Sequence, residues 1–171
     1  EPVFATDRIL HHGQPLFARG IGEIIEPADG LPELHLLMVN PGVSVSTPAI
    51  FKALAKKGFY DGVVFHRVID GFMAQTGDGQ FGDSDGNFDL NAAGTGGSDL
   101  PNIPAEFSKE PFVRGTVGMA RSQDPDSANS QFFIMFAPGD FLNGQYTVVG
   151  QVETGMELVD KIKKGDQNNN G

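Results

Sequence analysis

Two stretches, Val63-Val64-Phe65-His66-Arg67-Val68 and Gln131-Phe132-Phe133-Ile134-Met135-Phe136, decide the fold class of this chain. Both are rich in the β-branched and aromatic residues that suit a pleated surface, and both read as strands. Residues 21–25, 34–39, 116–120 and 146–152 read the same way. The 23 glycines and 11 prolines fall between these short apolar runs, as the turns between many strands would require, so the chain is expected to be mainly β.

Two segments carry helix signals instead. The first has Thr47 as N-cap, Pro48 at the first helical position, apolar Ile50, Phe51 and Leu54, and Gly58 as its stop. The second sets Thr154 and Glu157 at capping-box spacing, with Leu158, Val159 and Ile162 on one face. Lys161, Lys163 and Lys164 there complement the C-terminal dipole before Gly165. Residues 77–99 are rich in glycine and aspartate with little periodicity, and read as a long surface loop of the kind that often carries function.

A length of 171 residues at 39% hydrophobic composition suits one domain with a sizeable core. With 12 basic and 22 acidic residues the net charge is −10, which repels phosphate backbones and anionic lipid, so neither nucleic acid nor a membrane is an expected partner. The absence of cysteine excludes a disulfide framework, a thiolate metal site and a cysteine nucleophile, and leaves the redox compartment open. No run approaches the roughly 18 apolar residues of a membrane helix, and the start at Glu1 has neither a basic n-region nor an apolar h-region.

The chemistry concentrates in Phe65-His66-Arg67-Val68-Ile69 and Gly71-Phe72-Met73-Ala74-Gln75, followed by Gly118-Met119-Ala120 and Ser130-Gln131-Phe132-Phe133-Ile134. Gly58-Phe59-Tyr60-Asp61-Gly62 and Phe141-Leu142-Asn143-Gly144 accompany them. Together these resemble the cyclophilin signature, in the family's order, from residue 41 to residue 166. The resemblance implies a closed eight-stranded antiparallel β-barrel capped by two α-helices. It also implies peptidyl-prolyl cis/trans isomerase activity on Xaa-Pro bonds in proline-containing peptides and unfolded proteins, assisting folding.

Rotation about an Xaa-Pro bond must break amide resonance against a barrier of about 18–20 kcal/mol, and needs neither nucleophile nor cofactor. At the twist the prolyl nitrogen becomes pyramidal and regains its lone pair, so a guanidinium beside it gains a hydrogen bond that the planar amide cannot offer. The resemblance implies that Arg67 takes this catalytic role. Reaching milliseconds from tens of seconds needs about 6–7 kcal/mol, more than one hydrogen bond supplies, so a preorganised apolar pocket must contribute the rest. Residues matching that pocket are Phe72, Met73, Phe133, Phe141 and Leu142. Gln75 and Gln131 would hold the peptide backbone and Arg67, and the backbone of Ala120 and Arg121 would pair with an extended substrate.

Three positions depart from the best-known members of the family. Phe141 stands where they carry Trp, which removes an indole N–H and implies weak cyclosporin binding. Tyr146 replaces a His in the substrate site, and Arg121 stands where Asn is common, so the preferred residue before proline should differ. No metal or organic cofactor is implied, a monomer is expected, and the likeness to bacterial members suggests the cytoplasm ahead of the periplasm.

The family normally ends in a further strand after the segment resembling residues 163–171. The N-terminal run Glu1-Pro2-Val3-Phe4-Ala5-Thr6-Asp7-Arg8-Ile9-Leu10 resembles that missing end. A circular permutation is therefore expected, with residues 1–20 supplying the terminal strand plus a linker over residues 15–20, and with residues 8–12 pairing beside residues 21–25.

Taken singly, the same residues read more simply. An Arg in a strand is usually a surface or ion-pair residue, and Phe72, Met73, Phe133 and Leu142 would be core; only their joint spacing argues for a pocket. His66 reads as a hydrogen-bonded structural histidine. Adjacent His11 and His12 would point to opposite faces of a strand, which disfavours a metal. Asp83, Asp85, Asn87 and Asp89 imitate a calcium loop, but Phe88 stands where such a loop needs Gly. The alternative of another class is a scaffold that binds Xaa-Pro segments without turnover.

Overall fold

The computed structural model describes residues 46–166 and, before them, the backbone of two strands, β1 (Leu16–Arg19) and β2 (Ile24–Pro27). The chain divides into two compact units, Glu1–Gly42 and Val43–Gly171.

In the first unit β1 pairs antiparallel with β2, Leu16 opposite Pro27 and Arg19 opposite Ile24. The expected linker over residues 15–20 is therefore corrected: the apolar run Leu16-Phe17-Ala18 suits a ladder and lies in one. The strand expected at 21–25 is displaced to Ile24–Pro27. Residues 8–12, His11 and His12 among them, and the candidate strand at 34–39 lie outside the described residues. The permuted chain order is not shown.

The second unit is built on one antiparallel sheet in the order β3-β4-β6-β5-β7, with β3 at Arg67–Ile69, β4 at Met73–Thr76, β5 at Thr116–Met119, β6 at Phe132–Met135 and β7 at Val148–Gln151. Three of these fall inside their expected ranges. The expected strand at 63–68 is shifted, with Val63 making only an isolated bridge to Asp83. The inner strand β4 was not expected, since Ala74 is a poor strand former; pairing with β3 on one side and β6 on the other makes it a strand. Among the described residues β3 and β7 are the edges of this sheet, so it stops short of the closed eight-stranded barrel expected.

Two helices lie against one face. Helix α1 (Thr47–Lys56) sends Ile50 and Phe51 onto the cluster of Ile103, Met119 and Ala128, while α2 (Met156–Val159) sends Val159 onto Val68, Ala74 and Phe136. The two clusters sit at opposite ends of the strands, as the register of Thr76 with Phe132 and of Val68 with Ala74 requires. Phe51 meets Phe132 edge-on at 4.9 Å, and Tyr60 joins them at 5.4 and 5.2 Å while its hydroxyl donates to Ser130 O at 3.0 Å. Burial pushes this phenol well above its usual pKa.

The end of α1 follows its sequence signal. Gly58 adopts φ +71°, its N–H bonds Ala55 O and the Phe59 N–H bonds Leu54 O, the paired bonds of a left-handed helix stop. Its start does not. The N-cap is Ser46 rather than Thr47, neither hydroxyl caps the helix, and the Thr47 N–H instead donates to Glu106 Oε2 at 2.9 Å. Helix α2 is a single turn preceded by Gly155 at φ +92°, which breaks the register that a Thr154/Glu157 capping box needs. Bidentate bonds from Arg114 to Asp160 at 2.9 and 2.7 Å, and Lys164 Nζ 3.7 Å over the Phe136 ring, hold this end instead.

Because Glu106 supplies the acceptor that the local sequence lacks, Glu106→Ala should cost about 1–2 kcal/mol of stability. A chemical denaturation midpoint equal to that of the parent would show that water serves the helix start equally well.

Candidate functional site

Residues directly opposite in a ladder share a face, and the register assembles one row across four strands: Arg67 opposite Gln75, Gln75 opposite Phe133, and Phe133 opposite Gly118. A second row of the same face carries Ile69, Met73 and Met135. The helices cover the other face, so this one is left to the loops.

Met73, Phe133 and Leu142 are buried here with Phe112 and Met135, and Phe72, Ala120 and Tyr146 pack partly buried against them. Leu142 comes from the turn Asp140–Leu142. Phe141 from the same turn stays 65% exposed at the rim, its ring 5.4 Å from Phe72. Phe133 stacks on Phe112 at 5.7 Å and meets Tyr146 edge-on at 5.7 Å. Phe112, fully buried, was not anticipated; an isolated Phe between Pro111 and Val113 carries no periodicity to mark it. The stack depends on Gly118, where a Cβ would lie 2.6 Å from Phe112 and 2.7 Å from Phe133.

Beside this apolar floor lies a groove of about 470 Å³ lined by Gln75, Ala120, Arg121 and Gln131, with residues 94–98 along its wall. The two glutamines are locked together. Gln75 Nε2 donates to Gln131 Oε1 at 2.9 Å, and Gln131 Nε2 donates to Gly94 O at 3.0 Å and Gly96 O at 2.7 Å. Arg67, half-buried at the start of β3, stands across the ladder from Gln75.

Two groups at this edge are already engaged within the protein. The Ala120 N–H already donates to Gln131 O at 2.9 Å, so it is not available to an incoming peptide. The Arg121 side chain turns inward onto protein carbonyls: Nε and Nη2 donate to Gln145 O at 3.2 and 2.9 Å and Nη1 to Ser122 O at 2.9 Å, with the guanidinium 4.5 Å above the Tyr146 ring. Its charge is spent on bracing the rim turn beside Tyr146.

The loop over residues 77–99 is organised by a residue that the sequence reading passed over. Asp78 is fully buried, and its Oδ1 accepts from the Gln80 and Phe81 N–H groups, both at 3.0 Å, while Oδ2 accepts from Gly94 at 2.7 Å and Gly96 at 2.9 Å. Desolvation pushes this carboxyl up, but four backbone donors outweigh it and hold the pKa below the model-peptide 3.8. The Asp78-Gly79 pair was a readable turn signal; the reach to residues 94 and 96 was not.

His66 is corrected as well. Neither ring nitrogen has a hydrogen-bond partner of good geometry, and the Gln131 amide is its polar neighbour. Burial pushes the imidazole pKa down, against the pull of the Asp78 carboxylate. Its ring lies where a side chain at Gly94 would come within 2.9 Å of it. Among the described residues no three His, Asp or Glu side chains gather as metal ligands.

The family described as cyclophilin type peptidyl-prolyl cis-trans isomerase/CLD matches residues 45–171. A probable peptidyl-prolyl cis-trans isomerase of Brucella abortus (strain 2308) is 64% identical over 135 residues, 79% of this chain and 69% of that one. Peptidyl-prolyl cis-trans isomerase B of Bacillus subtilis (strain 168) is 38% identical over 128 residues, 74% of this chain and 80% of its own length. The crystal structure of a Cryptosporidium parvum cyclophilin type peptidyl-prolyl cis-trans isomerase, in the presence of the dipeptide Ala-Pro, superposes with a TM-score of 0.55 at 30% identity, covering 66% of this chain and 68% of that one. The chain belongs to the cyclophilin-type peptidyl-prolyl cis-trans isomerase family and is an isomerase of that type.

Two outcomes are expected from this geometry. Gly118→Ala should cost about 1–3 kcal/mol by overpacking the Phe112–Phe133 stack, and should slow isomerisation because Phe133 must move; an unchanged midpoint would show that the stack gives way freely. Asp78 titrates lower in the fold than in the unfolded chain, so its stabilisation is complete above pH 3.8 and disappears as pH falls through the folded value. Denaturation between pH 2 and pH 5 should therefore show a steeper loss for the parent than for Asp78→Asn, and parallel curves would contradict it.

Proposed function

We propose that the row Arg67–Gln75–Phe133 is the catalytic centre for rotation of Xaa-Pro bonds in peptides and unfolded chains, with Arg67 as the catalytic residue. The observation that carries this reading is the register: it sets a guanidinium, a locked glutamine and an aromatic floor side by side on the face the helices leave uncovered. The proline ring rests on Phe133, Met73 and Leu142, with Phe72, Phe141 and Tyr146 around it. While the ring is held, the preceding carbonyl swings, and Arg67 donates to the prolyl nitrogen as its lone pair appears.

Gln75 and Gln131 keep Arg67 and the peptide backbone in place, and Arg121 shapes the rim through Gln145 and Tyr146. Backbone contact to an extended substrate then falls to groups other than the Ala120 N–H. We also infer that the five-stranded sheet is part of a closed eight-stranded barrel with one helix over each end. Supporting this are the helix-covered clusters at opposite ends of one face, and the Gly165 N–H bond to Val68 O on the outer edge of β3. Cyclosporin should bind weakly, since exposed Phe141 brings no donor to the rim.

The test is the isomerisation rate of a short Xaa-Pro peptide. Arg67→Ala should lose about 100-fold or more in kcat/KM with the fold intact, in line with removal of one preorganised donor. Arg67→Lys should regain only part, because a point charge lacks the planar fork. A well-folded Arg67→Ala that keeps the parent rate would overturn the assignment.

A further inference from the structure

Asp78 lies outside the reacting face, yet it is the most heavily bonded carboxylate among the described residues and is fully closed to solvent. An ionised group in such a position needs its donors, and here the donors come from two separate stretches, residues 80–81 and residues 94–96. The second stretch then hands the order on. With its N–H groups fixed by Asp78, residues 94 and 96 turn their carbonyls to Gln131 Nε2. That sets which end of the Gln131 amide faces Gln75: oxygen, not nitrogen. Gln75 therefore spends a donor on Gln131 and is held opposite Arg67.

We propose that Asp78 is a positioning residue of the isomerase, acting on Arg67 through residues 94–96, Gln131 and Gln75 without touching the substrate. This rests on the reading of Arg67 as catalytic. The linkage is directional: remove the negative charge, and residues 94–96 lose the acceptor that aims their carbonyls, so Gln131 is free to flip and Gln75 to wander. Asparagine cannot substitute, because its NH2 would face two backbone N–H donors.

The test is a double-mutant cycle on the full chain with an Xaa-Pro peptide, reading kcat and KM separately at a temperature where each variant is shown to be folded. Asp78→Asn and Gln131→Ala should each lower kcat by about tenfold, with KM little changed for Asp78→Asn, which touches no substrate, and the double mutant should have a kcat no lower than that of the worse single one, since both break one relay. Across these variants and the double mutant the losses in kcat should not track the falls in denaturation midpoint, which separates positioning from general loosening. If Asp78→Asn does not fold, Gly96→Ala takes its place in the cycle; its methyl group would press on the Asp78 carboxylate and displace residue 96 while keeping the charge. Losses in kcat that multiply, or a folded variant with parent kcat, overturn the proposal. Arg67→Ala run in parallel tells the two readings apart. A parent-like Arg67→Ala sinks both, whereas a crippled Arg67→Ala beside a parent-like Asp78→Asn sinks this one alone.

Discussion

Pleating sends successive side chains to opposite faces, so the register between β3, β4, β6 and β5 constrains everything else in the second unit. Arg67, Gln75, Phe133 and Gly118 form a row because they lie directly opposite one another. A slip by one residue in β3 would bring Val68 into that row and drive Arg67 toward the apolar face under α1 and α2. Stripping a guanidinium of water without full compensation costs several kcal/mol, whereas Val68 gains by burial against Ala74 and Phe136. The energy that packs the helix-covered face is thus the same energy that aims Arg67 at the other one.

Across the site, two titratable groups, Asp78 and His66, reach opposite solutions to burial. Asp78 keeps its charge because four backbone donors converge on it. His66 has no partner of good geometry for either nitrogen, and burial favours the neutral ring, for which the desolvation cost is far smaller than for an imidazolium. This bonded network beside an apolar floor gives the groove one polar wall and one apolar one. Arg121 belongs to the polar side, bound to the carbonyls of the rim and stacked on Tyr146.

How much of this was readable varies with the distance over which each feature is decided. The stop of α1 was legible, since Gly58 and its two bonds involve only neighbouring residues. Its start was not, because the acceptor for Thr47 comes from Glu106, 59 residues away. The capping box at Thr154 has the right letters, yet Gly155 takes a left-handed backbone and shortens α2 to one turn. Strand β4 is invisible to propensity and exists because both neighbours pair with it. The apolar site residues were gathered by their joint motif, but the inward turn of Arg121 and the prior use of the Ala120 N–H depended on partners no motif names.

The sequence by itself determined the mainly β character, the positions of β5, β6 and β7, the end of the first helix and the identity of the apolar residues gathered around Phe133, because each is written in local preference or in a motif. Only the tertiary structure decided that Gln75 would stand opposite Arg67, that Asp78 would gather backbone N–H groups from across a long loop, and that Gly118 must be bare for Phe112 to reach Phe133. Those are contacts between residues far apart in the chain, and their energies exist only once the whole sheet has closed its register.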